Sequence, residues 1–220
     1  MAARLSFDAE LRLLKEDLHE MARLIEAAIE KIMIAFENQD EALARDIIQG
    51  DRIVNDIEKA IEARCLSLII KQQPVARDLR IVTTALKVVT DMERIGDHAA
   101  DIAELILREK REHIYDLIKH IPEMGNATKD MVRDAVTAFT TLNVEMAREI
   151  MKRDDIVDEL FDKVKLEVAN ILKTSSGQVD QCMDILMIAK YFVRIGDHVV
   201  NMCEWTEFHE TGTVNNIRLL

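Results

Sequence analysis

From Ser6 to about Asn38 the apolar residues Leu11, Leu14, Leu18, Met21, Ile25, Ala28, Ile32 and Phe36 return every three or four positions, with charged residues between them. That period puts them on one face of a helix, because about 3.6 residues complete a turn. Asn38 followed by Glu41 has the spacing of a capping box, so a second helix is expected to start there and run to about Lys71, with Gly50 a place for a bend. Pro74 reads as a first-turn residue of a third helix, whose stripe of Leu79, Val82, Leu86, Val89, Met92, Ile95 and Ile102 continues to about Arg108.

The pattern then recurs. Met21/Met124, Phe36/Phe139, Ala44/Ala147, Ile47/Ile150, Asp51/Asp154 and Val54/Val157 lie 103 positions apart, and Arg94-Ile-Gly-Asp-His98 returns as Arg194-Ile-Gly-Asp-His198 at an offset of 100. A shortened loop between the second and third helices of the repeat accounts for the change. Ser175 and Gln178 have capping-box spacing before the last helix, and Pro122 fits either a first turn or a kink. The expected fold is all-α: two tandem, pseudo-symmetric three-helix bundles at residues 1–110 and 111–208, with an irregular tail at 209–220. Each helix has one wide apolar stripe to bury, so the units either pack side by side or fuse into one bundle. Two copies favour a closed pair over an open solenoid.

Composition sharpens this picture. Only 6 Gly and 2 Pro interrupt a chain that is 32% charged, which suits long helices rather than frequent tight turns. A net charge of −12 without any Lys/Arg cluster repels phosphate backbones, so cations and basic protein surfaces are better partners than nucleic acid. No apolar stretch approaches the roughly 20 residues needed to span a bilayer, and the N-terminus lacks the apolar core of a signal peptide, so a cytoplasmic location is expected. Cys65, Cys182 and Cys203 are odd in number and far apart, which reads as reduced core thiols.

The candidate chemistry is acidic. Glu93, Asp97, Asp101 and Glu104 are spaced by four, four and three, along one helical face, and Asn55, Glu58 and Glu62 form a polar stripe on the preceding helix. Like charges so stacked repel, and basic side chains, water or an oxygen-coordinated cation must offset them. The second copy is thinner: Asp197, Asn201 and Glu204, with Val193 in place of Glu93, beside Asp154, Asp158 and Asp162 on its neighbouring helix. A solvated surface is the ordinary meaning of one such stripe, and recurrence in both units weighs against it. Gly96 and Gly196 each cost a helix about 1 kcal/mol relative to alanine, so each needs a reason: close approach of a neighbouring backbone, or room beside a ligand. His98 and His198 read as hydrogen-bonded packing residues and Arg94 and Arg194 as braces, for Asp91, Asp97 or a glutamate on an adjacent helix. Carboxylate-rich bundles also build di-iron sites, but those need two Glu-x-x-His motifs. Only Glu16-x-x-His19 is present, its counterpart being Lys119-x-x-Pro122.

The duplicated Arg-Ile-Gly-Asp-His motif, the run Gln73-Pro-Val-Ala-Arg-Asp-Leu-Arg80 ahead of its first copy, and the repeat of about 100 residues together resemble the PhoU family of phosphate-uptake regulators. The resemblance implies two three-helix bundles and a non-catalytic regulator that restrains phosphate uptake and phosphate-starvation signalling. It implies contact with the ATPase subunit of a phosphate ABC transporter and with a sensor histidine kinase, peripheral to the membrane complex, and a homodimer. It also implies that Glu93 and Asp97, extended by Asp101, hold clustered divalent or trivalent metal ions. Fe, Zn, Mn and Mg all suit carboxylates, and the second unit departs from the pattern at Val193.

Overall fold

The computed structural model describes residues 2–108, 117–174, 177–214 and 217–218. Among the described residues six helices follow in order: α1 (Ala2–Asn38), α2 (Glu41–Gln72), α3 (Arg77–Arg108), α4 (His120–Thr141), α5 (Val144–Thr174) and α6 (Val179–Thr211). The architecture is all-α, with the 103- and 100-residue offsets relating α2 to α5 and α3 to α6. The first helix of each unit is less alike: α1 has 37 residues and α4 has 22.

Several helix boundaries differ from the sequence reading. Asp40, not Asn38, caps α2: its Oδ1 accepts the Leu43 N–H at 3.0 Å, while the Asn38 amide donates back to the Ile34 carbonyl. Asn143, 103 positions on, does the same for α5, accepting the Met146 N–H at 3.0 Å. Gln39 is left-handed at φ 52°, so the chain turns between Asn38 and Asp40 and only Asp40 stands directly before the new helix. Asp40→Ala should therefore lower stability by about 1 kcal/mol in urea unfolding, with Asn38→Ala nearly silent. Pro74 lies in the linker rather than in a first turn. Gln73 closes α2 in a left-handed conformation, its N–H reaching the Ile69 carbonyl, and a proline just past such a cap cannot continue the helix. Pro122 is the third residue of α4, so it belongs to a first turn and makes no kink. α2 runs unbroken through Gly50. Ser175 lies outside the described residues, and Gln178 precedes α6 without a side-chain cap bond. The tail is more ordered than expected: α6 continues through Thr211, Gly212 (φ 72°) ends it, and Thr213–Val214 pairs antiparallel with Ile217–Arg218.

Within each unit the apolar stripes meet as the offsets demand. Ala44, Ile47, Val54, Ile61 and Leu68 of α2 are buried, and so are Ala147, Ile150, Val157, Val164 and Ile171 of α5. Met92, Ile95, Ile102 and Ala103 of α3 have buried counterparts in Phe192, Ile195, Met202 and Cys203 of α6. α2 packs against α1 and α3, α5 against α4 and α6, and the units join along α3–α6 and α1–α4. The two bundles are thus side by side but share one continuous apolar core, with α2 and α5 on the outside. Buried Thr84, Thr128 and Thr206 satisfy their hydroxyls by donating to carbonyls four residues back on their own helices. Cys65, Cys182 and Cys203 are buried and form no disulfide, and burial pushes the Cys65 and Cys203 thiols up to about 12, which makes those two inert packing groups. Among the described residues, no helix is long and apolar enough to cross a membrane.

Candidate functional site

The repeated motif sits in the second half of α3 and of α6, and its glycine explains how the flanking helix approaches. A Cβ on Gly96 would meet Val54 Cγ1 at 3.0 Å and Asp51 Oδ1 at 3.4 Å, both on α2. A Cβ on Gly196 would overlap Asp154 Oδ1 on α5. Each glycine therefore makes room for side chains of the neighbouring helix, above all for an aspartate carboxylate. Asp51 and Asp154 are a repeat pair in the sequence, yet Asp51 has no place in the acidic stripes drawn from helical spacing. A repeated glycine inside a helix, together with a repeated aspartate on the preceding helix, is the signal that finds it.

Around Gly96 the structure gathers Asp51, Asn55 and Glu58 from α2 with Glu93 and Asp97 from α3. The Asn55 amide donates to Asp51 Oδ2 at 2.9 Å, while Asp51 Oδ1 and Asn55 Oδ1 are buried and accept no hydrogen bond. Burial, then the nearby Asp97 charge, holds the Asp51 and Glu93 carboxyls above the usual range. Glu58 is raised by burial and then by Glu62, which is half-buried beside it. Arg94 offsets part of the repulsion, its Nη1 donating to Asp97 Oδ2 at 2.9 Å and its Nε lying 3.4 Å from Glu93 Oε2.

The second cluster is smaller. Asp154 is pushed up to about 6, first by burial and then by Asp158, Asp197 and Asp155. Asp158 and Asp197 are exposed, and Val193 is buried where the first unit has Glu93. Arg194 lies over the Tyr191 ring, 6.0 Å from its centre.

The remaining stripe residues reach beyond these clusters, although the Asp101 charge still helps to raise the Asp51 carboxyl. Asp101 faces the seam with α6, where His98 Nδ1 is 3.4 Å from its Oδ2 and the Tyr191 phenol bonds to it. Asn201 also faces the seam: its amide donates to Asp91 Oδ1 at 3.2 Å, beside His198 Nδ1 at 2.9 Å. The two imidazoles stand 5.5 Å apart across that seam, and burial holds His98 below its ordinary value. Glu104 is exposed, Glu204 is half-buried, and Asp162 is exposed and paired with Lys165 at 2.6 Å. His19 of the isolated Glu16-x-x-His19 lies 3.0 Å from Thr140 Oγ1 on α4, between helices.

Chemically, both clusters are oxygen-donor faces suited to hard cations. The orphaned oxygens of Asp51 and Asn55 fit such a ligand in kind. Among the described residues, however, no three His, Cys, Asp or Glu side chains already stand in a common liganding arrangement.

A doubled three-helix bundle, with a glycine-made acidic cluster against the outer helix of each unit, defines a class of duplicated helical proteins. The profile described as PhoU domain matches residues 18–106 and again 121–206. The chain belongs to the PhoU family. It is 42% identical over 207 residues to the phosphate-specific transport system accessory protein PhoU homolog of Clostridium acetobutylicum, covering 94% of each chain. It is 30% identical over 206 residues to the PhoU of Escherichia coli strain K12, covering 94% of this chain and 86% of that one. Among solved structures, the PhoU of Streptococcus pneumoniae superposes with a TM-score of 0.86 at 27% identity, over 96% of this chain and all of that one. The PhoU of Pseudomonas aeruginosa gives 0.84 at 27% identity, over 94% and 100% of the two chains.

Proposed function

We propose that the protein is a non-catalytic accessory regulator of phosphate-specific transport that restrains phosphate uptake and starvation signalling. The observation that carries this reading is that the family match extends over both three-helix units and takes in both acidic clusters. Relatives covered along nearly their whole length bear the name of phosphate-transport accessory proteins. In this reading the chain is a cytoplasmic homodimeric adaptor, touching the transporter ATPase and the sensor histidine kinase at the membrane periphery. Deleting the gene should derepress phosphate uptake and a starvation reporter together. Unchanged uptake and reporter output in a clean deletion would overturn the proposal.

The metal-holding role belongs to the same proposal. Asp51, Asn55, Glu58, Glu93 and Asp97 would hold the ion in the first unit, and Asp154, Asp158 and Asp197 in the second. The bound cation would neutralise carboxylates that now repel one another. A metal-free adaptor is the second reading, favoured by Arg94, which already offsets Glu93 and Asp97. Elemental analysis of protein purified without chelators separates the two.

A further inference from the structure

A cleft of about 200 Å³ opens where the N-terminal half of α1, the start of α3 and the ends of α4 and α6 meet, with neither acidic cluster in its lining. Its walls are hydrocarbon: Leu11, Leu18, Ile81, Ala85 and Phe139 line the space. An apolar cavity of about 150 Å³ is enough to hold benzene, so this one has room for a ring or a short alkyl chain.

Two cations, one acid, a satisfied threonine and an unsatisfied imidazole are the polar groups of the cleft. Arg12 and Lys15 line it, and Lys15 donates to the Thr140 carbonyl. His209, also in the lining, is 0% exposed, and neither of its ring nitrogens has a hydrogen-bond partner. A neutral imidazole carries one donor and one acceptor, and leaving both unpaired in an apolar interior is costly. Arg80 Nε reaches the His209 carbonyl at 3.2 Å, and of the charges that act on the imidazole Glu210 is ion-paired with Arg77 while Arg80 and Lys15 add two more cations, so this end of the cleft carries an excess of positive charge in a chain of net charge −12. Asp8, an acid in the lining, is engaged in an interaction of its own.

We propose that this cleft binds a small amphipathic monocarboxylate, its apolar body against Leu18, Ile81 and Phe139 and its carboxylate between Lys15 and His209. The site is independent of the acidic clusters and of the regulatory reading. Inorganic phosphate does not suit it, because hydrocarbon walls offer nothing to replace the hydration of a multiply charged anion.

The test is a titration of the full-length, methyl-labelled protein with sodium hexanoate, hexanol and sodium phosphate, followed by NMR. Hexanoate should shift the Ile81 and Leu18 methyl resonances saturably, hexanol should bind about tenfold more weakly, and phosphate should leave those resonances in place. Lys15→Met keeps the length of an exposed side chain, so folding is not at risk, and should weaken hexanoate about tenfold without changing hexanol. Ala85→Leu should fill the cleft and abolish binding of both. Absence of saturable shifts with hexanoate in the unmodified protein, equal binding of hexanol, displacement by phosphate, or an unaffected Lys15→Met variant would each overturn the proposal.

Discussion

Asp154→Asn is expected to stabilise the protein near pH 7 by about 1–2 kcal/mol and to flatten its stability between about pH 4 and 6. The carboxyl is packed into the space left by Gly196, and burial followed by Asp158 and Asp197 lifts it from 3.8 to about 6. Because the folded value lies above the unfolded one, the native state binds this proton more tightly. The sign follows: the group costs nothing below about pH 4, and its penalty grows as pH rises to about 6 and is complete above that. Taken whole, the rise corresponds to roughly 3 kcal/mol, and water screening of a partly exposed carboxyl reduces it to about 1–2 kcal/mol. Urea unfolding of both proteins across this range measures the effect. Parallel stability profiles would show that Asp154 is not the titrating group. Gly196→Ala offers an independent check, since its Cβ would displace Asp154 Oδ1 toward water and lower the apparent titration point.

On the proposed metal-holding role, Asp97→Ala should weaken divalent-cation binding about tenfold or more, and Asp197→Ala by less. Affinity for a hard cation follows the number and charge of its oxygen ligands. The first unit brings Asp51, Glu58, Glu93 and Asp97 together with the unpartnered Asn55 oxygen. The second has Asp154, Asp158 and Asp197, and buries Val193 where a fourth carboxylate would stand. Manganese titration followed by electron paramagnetic resonance reads free and bound metal directly. Equal losses, or a larger loss from Asp197→Ala, would reverse the ranking, and no binding in the unmodified protein would favour the metal-free adaptor.

The acidic stripes show how far helical spacing reaches. Glu93, Asp97, Asp101 and Glu104 do share one side of α3, but that side spans the boundary between two neighbours. Glu93 and Asp97 meet α2, whereas Asp101 bonds to His98 and Tyr191 at the α6 seam while its charge still reaches Asp51. Asn201 of the second unit likewise leaves Asp197 and joins Asp91. Spacing of three and four places residues within about a third of the helix circumference, which is too coarse to separate two adjoining partners.

What the sequence by itself determines is local and periodic: six helices, their buried stripes, the duplication, and the two glycines whose cost in a helix signals a close neighbour. These follow from dihedral preference and from the 3.6-residue turn, which act along the chain. Only the tertiary structure decides that α2 and α5 lie outside, that Asp51 enters the first cluster, and that residues as distant as Lys15, Ala85, Phe139 and His209 enclose one cleft. Those outcomes depend on the rotation and crossing of each helix, which are settled when all the stripes compete for one shared core.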